Sequence, residues 1–241
     1  MRLSVFSYTN PGGRPNNEDA IRCDWNDQRG VFVLADGLGG HQSGEIASSL
    51  AADSMLASCA SVESPCDETL SALFIEANEA IMDAQDRPNQ RDMKTTAVTL
   101  VLEDGCAHWA HVGDSRLYHF SANRLAHVTR DHSVTYQKYL GGEISYMDIC
   151  HDDDRSSLLR VLGKPGCHPA CDSAAVQPGD AFLLCSDGFW EFVYNEEMLI
   201  DLLKASSPEE WAQLMLLRHI RRTPPGTDNF SLIAVFVEES P

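Results

Sequence analysis

Basic residues are scarce in this 241-residue sequence, and their scarcity limits the partners it can have. Eighteen Lys and Arg stand against 36 Asp and Glu, which gives a formal net charge of −18. Nucleic-acid binding requires Lys and Arg to neutralise phosphates, and attraction to anionic lipids requires the same residues. The composition therefore argues against a nucleic-acid partner and against docking on a membrane.

Long hydrophobic runs and cysteine motifs are also missing. The apolar runs fall far short of the roughly 20 residues that span a membrane, and the first residues lack the apolar stretch of a signal peptide. The eight cysteines form no CxxC pair, and none has a partner pair at zinc-site spacing. The expected compartment is therefore the reducing cytoplasm.

What the sequence does contain is a series of short strands and amphipathic helices. Short runs rich in Val, Ile, Leu and Phe predict strands at Ile21–Trp25, Gly30–Ala35, Ala97–Leu102, Ala107–Val112, Arg116–Phe120, Ala181–Cys185 and Ser231–Val237. Apolar residues at three- and four-residue steps predict helices at Gly44–Ser58 and Asp67–Ala84. Pro at the first position and acids in the first turn predict a third helix at Pro208–Arg218, and Asn195–Lys204 is expected to be a shorter fourth. Asp67 and Ser207 are the expected N-caps of two of them.

The order of these elements predicts an α+β fold. Consecutive strands joined by short turns favour antiparallel sheets, and the helix pairs between them favour layers with sheets inside and helices outside. No repeat or long linker divides the chain, so residues 1–241 are expected to form a single domain. The polar, weakly periodic segment 131–160 is expected to be a loop or flap over a site.

Aspartates stand at the ends of the predicted strands. Asp36, Asp114 and Asp187 follow strands, whereas Asp19 and Asp228 come just before them. In an antiparallel sheet, the C-terminal end of one strand lies beside the N-terminal end of its neighbour. All five carboxylates could therefore gather at one end of the sheets.

Such a cluster would need cations. Carboxylates placed together repel one another and raise one another's pKa, and hard divalent ions with oxygen ligands relieve the repulsion. Since no comparable set of His and Cys is present, manganese or magnesium is favoured over zinc. Asp also suits turns, so each aspartate taken singly could be merely structural. The paired Asp36-Gly37 and Asp187-Gly188 weaken that explanation.

Seven short motifs follow one another along the chain. They are Arg14-Pro-Asn-Asn-Glu-Asp19, Ala35-Asp-Gly-Leu-Gly-Gly-His41 with Gly44-Glu45, Thr95-Thr96-Ala97, His111-Val-Gly-Asp-Ser-Arg-Leu-Tyr118, Thr129-Arg-Asp-His-Ser133, Leu184-Cys-Ser-Asp-Gly-Phe189 and Thr227-Asp-Asn-Phe-Ser231. One alone would be a weak indication. As an ordered set from Arg14 to Val237, they resemble the PPM (PP2C-type) protein phosphatases in their short bacterial form.

This resemblance implies a fold and a reaction. The fold is a four-layer α/β/β/α sandwich with two central antiparallel sheets. The reaction is hydrolysis of phosphoserine and phosphothreonine in proteins, with two or three Mn²⁺ or Mg²⁺ ions as cofactors. Two ions roughly 4 Å apart can activate a water that attacks phosphorus directly, without a covalent enzyme intermediate.

The resemblance also assigns metal-binding roles. It implies that Asp36 bridges two ions and that the Gly37 carbonyl binds one of them. Asp187 and Asp228 would bind one ion, and Asp19 would be a metal ligand on the opposite side of the pair of ions. The same resemblance places Glu18 beside Asp19, in contact with the metal or just behind its ligands, and makes Asp114 a ligand of a third, weaker site.

An arginine is expected to bind the phosphate, but the histidine expected after the Asp-Gly pair in many relatives is absent. The resemblance makes Arg14 the phosphate clamp, because a guanidinium can bind two phosphate oxygens and offset their charge. Many eukaryotic members carry a histidine after the Asp-Gly pair as the proposed general acid, and Leu38 occupies that position here. His41 is nearby, but a turn histidine at the entry to the next helix is the favoured interpretation.

The physiological setting is less defined. The expected partner is a phosphorylated protein, either a Ser/Thr kinase or its target, and the expected state is a monomer. Short members of the family accompany kinases in several settings, and type VI secretion control is one candidate. The alternative is a non-catalytic module that binds phosphoproteins on the same fold, which the intact Asp36, Asp187 and Asp228 argue against.

Overall fold

The structure, a computed structural model, describes residues 1–39, 43–62, 64–86 and 92–239. One sheet contains, in spatial order, β1 (Arg2–Asn10), β11 (Phe230–Glu238), β10 (Ala181–Cys185), β7 (Arg116–Ser121) and β8 (Arg124–Val128). The other contains β2 (Asp19–Trp25), β3 (Arg29–Leu38), β5 (Ala97–Glu103), β6 (Cys106–Val112) and β9 (Ala170–Ala175), with β4 (Lys94–Thr95) paired to the end of β3. Every pairing between these strands is antiparallel, as expected.

Helices lie on the outer faces of both sheets. One pair is α1 (Ser43–Cys59) and α2 (Asp67–Ala84). The C-terminal helices are α4 (Asp187–Trp190), α5 (Asn195–Leu202) and α6 (Pro208–Arg222). The chain segment that connects β8 to β9 contains α3 (Val134–Leu140) and a 3-10 turn at Tyr146–Asp148. No helix in the described ranges is both long and apolar enough to cross a bilayer.

Three apolar cores separate the four layers. Alternation along β3 sends Val33 toward α1 and α2, while Phe32 and Leu34 point into the space between the sheets. On the far side, Trp211 and Met215 of α6 pack on the outer face of the other sheet. The predicted α/β/β/α sandwich is therefore confirmed.

Two hairpins have the turns that their strands need. Asp104 and Gly105 join β5 to β6, and both have positive φ, at 50° and 73°. Ala122 and Asn123 join β7 to β8 with φ of 50° and 59°. Two successive residues with positive φ give a turn whose twist matches that of antiparallel strands.

The predicted strands and helices are all present, but several elements were missed. β1, β4, β8, β9, α3 and α4 were not predicted. Asp67 is the first residue of α2 and not its cap, because Cys66 occupies the N-cap position. Ser207 does cap α6, where its hydroxyl accepts a hydrogen bond from the Glu210 N–H at 3.1 Å. Segment 131–160 is only partly irregular, since it contains α3 and the 3-10 turn.

The strand pairing brings the functional end of each sheet together. Asp19 starts β2 directly opposite Asp36 near the end of β3. In the other sheet, Asp187 follows β10 and Asp228 precedes its neighbour β11. Asp114 lies in the connection from β6 to β7, which crosses from one sheet to the other.

The α6 core gives a stability prediction. Met215 is fully buried, so Met215→Ala should lower the free energy of unfolding by about 2–5 kcal/mol. Leu217 is 54% exposed on the same helix, and Leu217→Ala should change it by no more than about 0.5 kcal/mol. Urea unfolding of the metal-free chain measures both, and equal losses would contradict the assignment of α6's buried face.

Candidate active site

The five predicted aspartates gather at one end of the sandwich. Asp114 is buried, whereas Asp19, Asp36 and Asp187 are half-buried and Asp228 is exposed. Asp36 is close enough to Asp187, Asp19 and Asp114 for each of their charges to affect its ionisation. The structure thus brings together residues from near both ends of the sequence, from Asp19 to Asp228.

Hydrogen bonds join the two sheets at this end. The Ser186 hydroxyl donates to Asp19 Oδ2 at 2.8 Å and accepts from the Ser231 N–H at 3.0 Å. Asn229 Oδ1 accepts from the Glu18 N–H at 2.8 Å, and its amide nitrogen donates to the Pro11 carbonyl at 2.9 Å. Neither Ser186 nor Asn229 was predicted to act in the site. Their positions within the Leu184–Phe189 and Thr227–Ser231 motifs were the sequence signal that could have identified them.

The backbone of Asp36 is held equally firmly. Its carbonyl accepts from the Thr96 N–H at 2.8 Å and from the Thr95 hydroxyl at 2.7 Å. The Thr96 hydroxyl in turn lies 2.7 Å from the Ser115 hydroxyl, beside Asp114. The Thr95-Thr96 pair therefore fixes where the Asp36 carboxylate enters the cluster.

Gly37 allows a helix to approach the end of β3. A Cβ added at Gly37 would lie 2.2 Å from the Gly44 carbonyl oxygen, which is far inside contact distance. The Gly37 N–H donates to the Glu18 carbonyl at 3.0 Å, so the 14–19 loop is held against the same residue. Only glycine lets α1, β3 and this loop meet at the site.

The electrostatics of the cluster favour protonated carboxyls in the absence of a cation. Burial, followed by the charges of Asp187, Asp19 and neighbouring carboxylates, raises the pKa of Asp36 well above its usual value. Burial and Asp187 do the same to the pKa of Asp114. Burial raises the pKa of Asp19 to about 7, against hydrogen bonds that lower it. The pKa of Asp187 is raised by burial and by Asp228.

The donor set fits a hard divalent cation. All the clustered groups offer oxygen, which Mg²⁺ and Mn²⁺ prefer. Asp19 Oδ1 is buried without a hydrogen-bond partner among the residues described. In the described part of the chain, no group of three His, Cys, Asp or Glu side chains is already positioned to coordinate a metal ion. The fit therefore rests on donor chemistry and on repulsion that a cation would relieve.

Arg14 lies at the mouth of the cluster. Its Nη2 is 2.9 Å from Asp228 Oδ2, and both side chains are 53% exposed. The pKa of Glu18 is raised by burial and by Asp228, while Arg14 lowers it. The arrangement places one cationic, solvent-accessible group beside an otherwise acidic site. Leu38 ends β3 nearby, whereas His41 lies outside the described residues.

An ion pair that was not predicted forms one wall of the site. Asp131 accepts from Arg116 Nε at 2.8 Å and from Arg116 Nη2 at 2.6 Å, and both side chains are buried. The guanidinium carbon lies 3.4 Å from the centre of the Trp190 ring. Trp190 Nε1 donates to the Asp114 carbonyl at 2.9 Å. Asp131 belongs to the Thr129–Ser133 motif, which was its only sequence indication.

Comparison with known families assigns the chain. A model described as Protein phosphatase 2C matches residues 13–215, which include every predicted site residue except Asp228. The chain belongs to the protein phosphatase 2C family. It is accordingly a protein phosphatase, a phosphoric monoester hydrolase, and the resemblance in the motifs is confirmed.

Relatives of this phosphatase agree along nearly its full length. It is 33% identical over 232 residues to "Serine/threonine phosphatase stp" of Listeria welshimeri, covering 92% of this chain and 90% of that protein. A structure of the PstP catalytic domain in complex with two manganese ions has a TM-score of 0.83, 26% identity and coverage of 98% and 99%. PppA of Pseudomonas aeruginosa, described as a key regulatory component of T6SS, has a TM-score of 0.80, 27% identity and coverage of 98% of both chains.

The raised pKa values of this phosphatase predict how its metal-free stability depends on pH. Asp19 has a folded pKa of about 7, above the roughly 3.9 of an unfolded Asp. The folded state therefore holds the proton more tightly, and stability present below about pH 4 is lost as pH rises toward about 7. With chelator present, the free energy of unfolding should fall over this range by an amount on the order of a few kcal/mol.

Asp19→Asn tests this dependence, because it removes one ionising group and keeps the shape of the side chain. Urea unfolding in chelator at pH 5 and pH 8 should show a smaller fall for the variant than for the native chain. The control is Asp104→Asn in the exposed β5–β6 turn, where the positive φ suits Asn. Identical pH slopes for Asp19→Asn and the native chain would contradict the burial of a repelling charge.

Proposed function

We propose that this phosphatase hydrolyses phosphoserine and phosphothreonine in proteins and depends on Mn²⁺ or Mg²⁺. The observation that carries the proposal is the cluster of oxygen donors with raised pKa values at one end of the sandwich, with Arg14 at its mouth. The Listeria relative named a serine/threonine phosphatase and the PstP structure with two manganese ions support the same substrate and cofactor.

The proposed metal ligands come from strand ends in both sheets. Asp36, Asp187, Asp228 and the Gly37 carbonyl would hold two cations. Asp19 would be a ligand on the opposite side of these cations, with Glu18 beside it. Asp114 would bind a third cation. When bound, the cations would supply Lewis-acid activation of water and offset the charge of the phosphate.

The chain's own residues bind and orient the phosphate. Arg14 donates a hydrogen bond from Nη2 to Asp228, while its Nε and Nη1 make no hydrogen bond to any described residue. These free donors can bind two phosphate oxygens, and the Asp228 contact keeps the guanidinium from turning away. Arg14 would therefore hold the phosphoryl group over the carboxylate cluster and stabilise its charge as the bond to the Ser or Thr oxygen breaks.

The substrate is proposed to be a protein phosphorylated by a Ser/Thr kinase of the same cell. The likeness to PppA of Pseudomonas aeruginosa, described as a key regulatory component of T6SS, supports testing phosphoproteins of such a secretion system first. The acidic surface, with its formal net charge of −18, would favour substrates with basic sequences around the phosphate.

Phosphate release from a phosphothreonine peptide tests the proposed reaction. Release should require Mn²⁺ or Mg²⁺, stop in chelator and fall at least about 100-fold in Asp187→Asn, because a ligand charge is lost. Asp104→Asn is the matched control at an exposed turn and should keep native activity. A folded native chain that binds metal and phosphopeptide but releases no phosphate would favour the non-catalytic binding module instead.

Arg14 should contribute mainly by binding the phosphate and stabilising its negative charge. Arg14→Ala should lower kcat/KM for the phosphopeptide by about 100-fold, and Arg14→Lys should recover part of the loss, since Lys keeps charge but not two-point binding. Arg124→Ala is the control, because that exposed arginine begins β8 beside the Ala122-Asn123 turn, away from Asp114. An Arg14→Ala variant with native kcat/KM would remove Arg14 from the proposed mechanism.

A further inference from the structure

A cavity of about 270 Å³ lies beside the carboxylate cluster. One side of it belongs to the flap segment, residues 131–160, which contributes Tyr139 and Tyr146. The other side is formed by Trp190, Glu191 and the start of α5. Whole small-molecule sites occupy about 300–1,000 Å³, so this cavity has the size for a single side chain of a larger substrate.

Short contacts tie the cavity to the proposed active site. The Glu191 N–H donates to the Asp187 carbonyl at 3.0 Å, so Glu191 is one helical turn beyond a proposed metal ligand. Trp190 is joined to the Asp114 carbonyl through its indole nitrogen at 2.9 Å. A peptide whose phosphate lies over the carboxylates could therefore place a neighbouring side chain in this cavity.

The charges that line the cavity are unbalanced. Glu191 is half-buried and Glu196 is exposed, and neither carboxylate has a hydrogen bond or ion pair with the described residues. Among the described lining residues the cation is Arg116, whose charge is already balanced by two short hydrogen bonds to Asp131. What remains for an incoming group is a pair of carboxyl groups without a hydrogen bond to the described residues. Burial and the charge of Asp187 raise the pKa of Glu191, whereas Arg155 and Arg116 lower it, so a cation placed beside Glu191 would favour its charged form.

Aromatic rings complete the walls. Tyr139 and Tyr146 meet edge to face with ring centres 5.5 Å apart, and the Tyr146 hydroxyl accepts from Asn195 Nδ2 at 3.2 Å. This bond joins the flap segment to α5, so the walls have a fixed relative position. Such rings suit the aliphatic part of a long basic side chain and attract its cationic end.

On the basis of the proposed function, we propose that this cavity is a subsite for a lysine or arginine side chain of the phosphoprotein substrate. Glu191 and Glu196 would bind the cationic end, and Tyr139, Tyr146 and Tyr194 would contact the stem. An apolar side chain would cover Glu191 without supplying a hydrogen bond, which is costly, and an acidic one would be repelled.

A set of phosphothreonine peptides tests the subsite. Each peptide carries Arg, Lys, Ala, Phe or Glu at one position within four residues of the phosphothreonine, and kcat/KM is measured with Mn²⁺. At one position the native chain should prefer Arg or Lys over Ala by about tenfold, the effect expected of a charge-assisted hydrogen bond. Glu191→Gln and the double variant Glu191→Gln/Glu196→Gln should reduce this ratio to near one.

Because the readout is a ratio within each variant, a general loss of activity does not affect it. Glu143→Gln is the matched control, since Glu143 is an exposed carboxylate of the flap segment that does not line the cavity. That variant should keep the native ratio, and an equal loss of preference in Glu143→Gln would overturn the assignment to this cavity.

The outcomes for the subsite and for the reaction are distinguishable. If the native chain hydrolyses the Ala peptides but shows no basic preference at any position, or prefers Phe, the subsite proposal is overturned and the reaction stands. A basic preference that survives in the double variant also overturns it. If the native chain with Mn²⁺ hydrolyses neither the peptides nor a small aryl phosphate, the proposed function itself is overturned, and the subsite with it.

Discussion

Repulsion between clustered, buried and half-buried carboxylates is the constraint on which the rest of this site depends. Burial and neighbouring charge raise the pKa of Asp36, Asp114, Asp19 and Asp187. A fold selected for stability alone would not collect them, because each ionisation opposes folding while no cation is present. The same arrangement is favourable once positive charge is bound, so the instability of the metal-free cluster and its affinity for cations have one cause.

The scaffold holds these charges through contacts that span the two sheets. Ser186 connects Asp19 to the start of β11, and Asn229 connects the loop at Glu18 to the same strand. These hydrogen bonds hold the Asp19 carboxylate and the Glu18 backbone in place when the carboxyl groups ionise. Neighbouring strands thus convert a repulsive set of side chains into a fixed set of oxygen donors.

The wall built from Arg116, Asp131 and Trp190 extends this organisation toward the flap segment. A buried ion pair is costly to desolvate and contributes little net stability unless its partners are well placed. Here Arg116 satisfies its donors on Asp131, Tyr118 and Tyr146 and also stacks on Trp190. One side chain therefore connects β7, the flap segment and α4, and joins the metal cluster to the neighbouring cavity.

Much of the architecture is readable from the sequence. The central strands and the helices are strongly patterned because they are buried on one or both faces, and the motifs mark the strand ends that carry Asp36, Asp114 and Asp187. The strands that were missed include β1, β8 and β9, which lie at sheet edges. Edge strands bury less apolar surface and carry a weaker pattern, so their pairing depends on the sheet they join.

The sequence by itself determined the layered α+β fold, the family and the residue types of the site, since these follow from local periodicity and from ordered motifs. Only the tertiary structure decided which charges meet. Burial and through-space repulsion depend on distances between strands far apart in sequence, as between Asp19 and Asp187. For the same reason the Arg116–Asp131 pair, the position of Glu191 and the aromatic cavity became visible only after folding had brought the flap segment against α4 and α5.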